Sequence, residues 1–159
     1  LRFLGGIAYL QRLKHYKTHE VSQFWQGTTN YIARQIKLNK SVKLLESAVV
    51  KVPMVIGWLK PVILLPIGTL NGLTPRQVEI ILAHELAHVY RHDYVVNIIQ
   101  SLVEIALFFN PFVWWISTSI REERENCCDD LAVKATGEDQ LAFAQTLVSL
   151  EEMRWQPTG

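Results

Sequence analysis

The sequence predicts an α+β fold, mostly helical, in which a small β-sheet or hairpin packs before a helix that carries the segment His84-Glu85-Leu86-Ala87-His88. Apolar residues recur at helical spacing over residues 21–36 and again after residue 75. Between them, residues 47–66 are rich in valine and isoleucine and are punctuated by proline and glycine, as short strands are. A chain of 159 residues is long enough for one domain with its own core. We therefore expect a single domain over residues 1–159.

The first half of the chain supplies one helix and the strands. Residues 21–36 place Val21, Phe24, Trp25 and Ile32 on one helical face, which predicts an amphipathic helix. Residues 47–66 predict two or three short strands with a turn around residues 57–60.

The next helix has a well-defined start. Thr74 is a suitable N-cap, Pro75 suits the first helical position, and Gln77 stands three residues after the cap. Together they predict a capping box, with the helix running from there through the His84–His88 segment.

Three more helices are expected in the second half. One begins near Tyr94 and is broken or bent at Pro111, one covers residues 117–135 and stops at Gly137, and one covers residues 140–153.

Residues 94–120 lack lysine and arginine, but a polar stripe interrupts them, and no apolar run approaches the ~20 residues of a membrane span. This pattern favours a core helix, or one beside a membrane, over a lipid-facing span.

Charge and cysteine content limit the possible binding partners and the cellular compartment. The net charge of +1 leaves no broad basic surface, so no direct nucleic-acid binding is expected. The two cysteines, Cys127 and Cys128, are adjacent, which disfavours a structural disulfide and indicates a reducing compartment. The chain begins at Leu1 rather than Met, so we interpret it as a fragment. A basic cluster within residues 1–19 indicates a juxtamembrane segment or a solvated helix end.

The segment His84-Glu85-Leu86-Ala87-His88 has the pattern of a zinc peptidase motif. Residues four apart share a helix face, so both imidazoles can reach one ion. Glu85 lies on the adjoining face, where its carboxylate can take a proton from a zinc-bound water whose pKa is lowered toward about 7. The five-residue pattern alone is weak evidence, but a capped helix preceded by strands is the expected context.

A zinc ion needs a third protein ligand besides the two histidines, and two candidates for it are excluded. His92 continues the spacing, but a helix rises 1.5 Å per residue, which puts His84 and His92 about 12 Å apart. The metzincin pattern requires glycine and histidine where this chain has Arg91 and Tyr94.

Carboxylates further along remain as candidates. Glu125 and Asp129 stand four apart in a charged cluster, so one could bind the metal while the other holds the second ring nitrogen of a ligating histidine. The alternative is a solvated helix face with intrahelical Glu–Arg pairs.

Three blocks of the chain resemble a known family. They are "VPMVIGWLKPVILLPIGTLNGLTPRQVEIILAHELAHVYRHD", "NPFVWW" and "REERENCCDDLAV", in that order. They resemble the membrane zinc peptidases of the beta-lactam sensor-transducer (BlaR/MecR) type, over about residues 20–152.

The resemblance implies a gluzincin-like core in which Glu125 completes the metal site with His84 and His88, and Asp129 supports His84. It implies Zn²⁺ as the cofactor, a protein or peptide substrate lying along a strand edge, and attachment to a membrane through flanking segments. It also implies a catalytic domain that faces the cytoplasm from the inner membrane of a bacterium and cleaves itself or a regulatory protein such as a repressor.

Two other functions stay open. Zinc could hold together a catalytically silent regulatory module, although the intact Glu85 argues against this. The motif could also be a coincidence in a scaffold without metal. An oxyanion-stabilising residue cannot be selected by type alone among Arg91, His92, Tyr94, Arg121 and Arg124, and Asp93 is expected to fix the end of the motif helix or to pair with an arginine.

Overall fold

The fold is described from a computed structural model, which covers residues 16–57 and 59–155. The predicted basic segment at residues 1–19 therefore lies largely outside the described part of the chain. The prediction of a mostly helical α+β fold with a small sheet before the motif helix is confirmed.

Four short strands form one mixed sheet. They are β1 (Thr18–Glu20), β2 (Lys43–Ser47), β3 (Met54–Ile56) and β4 (Val62–Pro66). Their order in the sheet is β1-β2-β4-β3, with β2 parallel to β4 and the other two pairs antiparallel. Strand β3 consequently lies at one edge of the sheet.

Six helices complete the described fold. They are α1 (Gln23–Gln35), α2 (Thr69–Gly72), α3 (Pro75–Tyr90), α4 (Asp93–Ala106), α5 (Pro111–Thr136) and α6 (Gln140–Trp155). Helix α3 is the central one, since it packs against helices α1, α2, α4, α5 and α6 and against β3.

The core lies on both faces of β4. Ile63 and Leu65 are buried on the face that packs against α1 and α3, and Val62 and Leu64 are buried on the other. This alternation is the period of two expected for a strand that is covered on both sides. Helix α3 is thereby fixed against the sheet, and its orientation sets the position of the motif residues.

The strand boundaries differ from those predicted. Strand β2 overlaps the predicted segment only at Ser47, and β1 was not predicted at all, because neither short stretch shows regular alternation. The link between β3 and β4 falls where the turn was expected, and Gly57 adopts a φ of 89° there, which glycine accommodates readily.

Of the two alternatives predicted at Pro111, a break or a bend, the structure has a break, but the prediction of a separate helix that begins at residue 117 is wrong. Helix α4 ends at Ala106, and Pro111 is the first residue of α5, which continues without a break to Thr136. Proline has no N–H to lose at that position, and the Asn110 side chain accepts a hydrogen bond from the Phe112 N–H at 3.0 Å.

Helices α4 and α5 contact each other through polar groups. The Gln100 side chain donates to the Ser117 carbonyl at 2.6 Å, and Arg121 pairs with Glu104 at 2.7 Å. Many apolar side chains of the pair face outward, including Trp115 with 70% of its surface exposed, so the core-helix interpretation is wrong for this segment. Among the helices of residues 16–57 and 59–155, none is long and apolar enough to cross a membrane.

Candidate active site

Helix α3 presents the two motif histidines on one side. Its first turn has the predicted capping box: the Thr74 hydroxyl accepts from the Gln77 N–H, and the Gln77 side chain accepts from the Thr74 N–H. The His84 and His88 rings then follow one turn apart, with their Nε2 atoms 3.1 Å from each other.

Helix α5 brings Glu125 to the same point. Its Oε2 lies 3.7 Å from His84 Nε2 and 3.6 Å from His88 Nε2. The three ligand atoms of this group all lie within 4.8 Å of one another. In a tetrahedral zinc shell with bonds of about 2.0–2.1 Å, ligand atoms are about 3.3 Å apart. The donor set and its spacing therefore fit a zinc ion with three protein ligands.

Each histidine also has an aspartate at its other ring nitrogen. His88 Nδ1 lies 2.7 Å from Asp93 Oδ2. His84 Nδ1 lies 2.9 Å from Asp129 Oδ1, but the two atoms are not well aligned for a hydrogen bond. Carboxylates in this position fix the orientation of metal-binding imidazoles. The structure thus brings Asp129 to the histidine for which it was predicted.

Asp93 is a site residue that the sequence reasoning missed in this role. The chain turns between α3 and α4 at His92, whose φ is 58°, and this turn directs Asp93 back toward α3. Asp93 is only 4% exposed. The available signal was an acidic residue directly after the motif helix, but nothing in the spacing showed that it would reach His88.

Three further groups surround Asp93. The Cys128 thiol donates to Asp93 Oδ2 at 3.4 Å and lies equally close to His88 Nδ1. Arg91 and Arg124 are 3.8 and 4.0 Å from the carboxylate. Cys128 is buried, and burial raises the pKa of its thiol well above the ordinary range. The thiol is therefore a protonated donor to Asp93.

Glu85 is buried beside this cluster, with 8% of its surface exposed. Burial raises the pKa of Glu85 to about 7, while the positive charge of His88 opposes this shift and the negative charge of Glu125 adds to it.

Two neighbouring groups have shifted pKa values as well. Burial, followed by the charge of His88, lowers the pKa of His84 to about 4. Burial together with the charge of Glu125 raises the pKa of Asp129 to about 6. A neutral His84 is the form that can bind a metal.

A cavity of about 370 Å³ opens over the histidines. Glu85 and Glu125 line it, and the edge strand β3 contributes Met54 and Val55 to its wall. The cavity therefore combines a candidate metal site, a buried carboxylate and a strand edge.

Only some of the residues considered as oxyanion-stabilising candidates lie at the cavity. Tyr94, His92 and Arg124 line this cavity, whereas Arg91 and Arg121 do not. Arg121 instead pairs with Glu104 between α4 and α5. His92 Nε2 lies 3.3 Å from Lys40 Nζ and is not part of the His84, His88 and Glu125 group.

Comparison with known proteins identifies relatives. The chain is 32% identical over 100 residues to the regulatory protein BlaR1 of Bacillus licheniformis, an alignment that covers 63% of this chain and 16% of the relative. It is 30% identical over 95 residues to the methicillin resistance mecR1 protein of Staphylococcus aureus, covering 60% of this chain and 16% of that protein. The chain thus spans about a sixth of the length of these relatives. The sequence model of the family described as BlaR1 peptidase M56 matches residues 8–158. The chain belongs to this peptidase family.

Proposed function

We propose that this chain is the zinc-dependent endopeptidase domain of a membrane signal-transducing protein, which cleaves itself or a regulatory protein such as a repressor. The observation that carries the proposal is the convergence of His84, His88 and Glu125 on one point in a cavity that also contains the buried Glu85. Membership of a peptidase family supports the reaction class.

His84, His88 and Glu125 would hold the zinc ion, and a fourth position would stay open for water or substrate. When bound, zinc supplies Lewis acidity toward the scissile carbonyl and a water of low pKa. A closed structural site uses four protein ligands, so a set of three favours catalysis over a purely structural role.

Glu85 is assigned the proton transfers. Its carboxylate is buried in the same cavity as the metal group, where it can accept a proton from water and return it to the leaving amine. Asp93 and Asp129 are positioning residues, because they act on His88 and His84 rather than on substrate.

The substrate class follows from the cavity wall and the resemblance. Strand β3 lies at a sheet edge beside the metal group, so an extended peptide can add to it by backbone hydrogen bonds. The resemblance to sensor-transducer peptidases supports a regulatory protein or the protein itself as target. It also supports a place at the inner membrane of a bacterium, with the domain facing the cytoplasm.

The test is Glu85→Gln in the full-length protein, reconstituted in membranes with zinc. We expect zinc content to be unchanged, and cleavage, followed by mass spectrometry of the protein and its co-expressed regulators, to vanish. Glu79→Gln on the same helix, outside the cavity lining, is the matched control and should cleave normally. Cleavage that persists in Glu85→Gln would refute the assignment of the base. Zinc retention with no cleavage in the wild type under activating conditions would favour the silent module.

A further inference from the structure

Helix α5 directs three side chains toward the metal group from a single helical turn. Glu125, Cys128 and Asp129 stand three and four residues apart, so they share one face of the helix. Glu125 is assigned to the metal and Asp129 lies at His84, whereas Cys128 has no role in the proposed function. The Cys128 side chain is completely buried, with 0% of its surface exposed. Its contacts inside the fold therefore determine what it does.

The Cys128 thiol lies where Asp93 meets His88. Its Sγ atom is 3.4 Å from Asp93 Oδ2 and 3.4 Å from His88 Nδ1, and these two atoms are 2.7 Å apart. When His88 binds zinc through Nε2, its Nδ1 carries a hydrogen and donates it to Asp93. Nδ1 then has no lone pair to offer the thiol. The acceptor of the thiol hydrogen is therefore Asp93 Oδ2.

The Asp93 carboxylate depends on this donor because two positive charges attract it elsewhere. Arg91 lies 3.8 Å from Oδ1 and Arg124 lies 4.0 Å from Oδ2, and both distances are too long for hydrogen bonds. Among the side chains of the described residues, only His88 and Cys128 hydrogen-bond to this carboxylate. Rotation of the carboxylate toward the arginines would take Oδ2 away from His88 Nδ1, and the thiol opposes that rotation.

We propose, on the basis of the zinc site proposed above, that Cys128 is a positioning residue whose thiol holds the Asp93 carboxylate in the orientation that supports His88. The alternative is a second metal ion held by the same three side chains, since their ligand atoms lie within 4.8 Å of one another. The two guanidinium groups beside Asp93 disfavour this alternative, because they place positive charge next to the position of a second cation.

The test compares variants that differ only in the donor. Serine and alanine have nearly the same volume, but Cys128→Ser keeps a hydroxyl donor that Cys128→Ala lacks. Zinc affinity of the full-length protein is measured by competition with a chromophoric chelator. We expect it to fall about 5- to 10-fold in Cys128→Ala and to stay within about 3-fold of the wild type in Cys128→Ser. Equal losses in the two variants would overturn the proposal.

A second pair of variants separates the donor from packing. Cys128→Thr and Cys128→Val both fill the space that alanine leaves, and they have the same shape but differ in one hydroxyl. The threonine variant should bind zinc more tightly, and a valine variant that equals or exceeds it would assign Cys128 to packing alone. Circular dichroism identifies any variant that fails to fold, and each pair tests the donor independently of the other.

The neighbouring cysteine provides the matched control. The Cys127 thiol contacts Glu123 Oε1 at 4.0 Å and takes no part in the contacts around Asp93. Cys127→Ala should therefore change zinc affinity by less than about 2-fold. A loss as large as that in Cys128→Ala would overturn the specific role of the Cys128 thiol.

Cobalt substitution distinguishes a positioning residue from a metal ligand. In the Co²⁺-loaded protein we expect about one cobalt per chain, no sulfur-to-cobalt charge-transfer absorption, and visible bands that change in Cys128→Ala but not in Cys128→Ser. Sulfur-to-cobalt absorption that disappears in Cys128→Ala would show that the thiol binds metal and would overturn the proposal. Wild-type protein that binds neither zinc nor cobalt would overturn the proposed function as well. Equal zinc affinities of Cys128→Ser and Cys128→Ala in a protein that does bind zinc would overturn the role of Cys128 alone.

Discussion

Replacement of Asp93 by asparagine tests how the site holds His88. The Asp93 carboxylate lies 2.7 Å from His88 Nδ1 and is 4% exposed, so water screens this contact very little. Asparagine keeps the shape and can still accept the Nδ1 proton, but it removes the charge that strengthens the bond. A charge-assisted hydrogen bond contributes about 1.5–3 kcal/mol and a neutral one about 0.5–1.5 kcal/mol, so we expect Asp93→Asn to lose roughly 10-fold or more in zinc affinity.

Asp129→Asn should have a smaller effect. The Asp129 side chain is 35% exposed, and its contact with His84 Nδ1 is not well aligned, so solvent takes over part of its role. We expect a zinc affinity loss near the lower end of the same range, about 10-fold or less. Asp130→Asn, at the adjacent exposed position, is the matched control and should change affinity by less than about 2-fold.

The assay is zinc affinity measured by competition with a chromophoric chelator at neutral pH, with circular dichroism to verify the fold of each variant. The predicted order of loss is Asp93→Asn, then Asp129→Asn, then Asp130→Asn. A larger loss in Asp129→Asn than in Asp93→Asn, or an unchanged affinity in Asp93→Asn, would show that burial and alignment of these carboxylates do not determine zinc affinity.

Three further outcomes concern stability. Glu85 has its pKa raised from 4.5 to about 7 in the metal-free fold, so ionisation of this one group destabilises the fold as pH rises above about 4.5. Metal-free Glu85→Gln should match the wild type in chemical denaturation below pH 4.5 and exceed it by about 3 kcal/mol at pH 8, and equal stabilities at pH 8 would contradict the buried carboxylate. Thr74→Ala removes the capping box and should lower the free energy of unfolding by about 1 kcal/mol, whereas no change on urea denaturation would mean that the cap is dispensable. Lys37 has a φ of 58° after α1, so Lys37→Gly should raise the free energy of unfolding by about 1 kcal/mol, and a lower melting temperature would contradict this.

The sequence allowed the motif helix and its start to be predicted because both depend on local spacing. His84 and His88 share a face whenever the segment is helical, and the Thr74 cap needs only Gln77 three residues later. The convergence of Glu125 is different, since it depends on how α5 crosses α3, and 37 residues separate it from His88. The family resemblance, rather than spacing, selected that residue.

The wrong structural predictions concern segments whose residue patterns fit more than one local structure. Proline can interrupt one helix or begin another, so Pro111 was predicted to break or bend a helix, and the start of α5 was placed at residue 117 instead of at Pro111. The polar stripe within residues 94–120 favoured a core helix or one beside a membrane, and in the structure polar groups lie between α4 and α5 while many apolar side chains of the two helices are exposed. The role of Asp93 depends on the backbone turn at His92, which no residue pattern indicated.

Elemental analysis of purified protein tests whether His84, His88 and Glu125 form a zinc site. We expect about one zinc per chain in the wild type, lost or strongly reduced in Glu125→Ala and retained in the control Glu122→Ala on the same helix. Full zinc retention in Glu125→Ala, or the absence of zinc from wild-type protein prepared without chelators, would show that these three residues do not form the site.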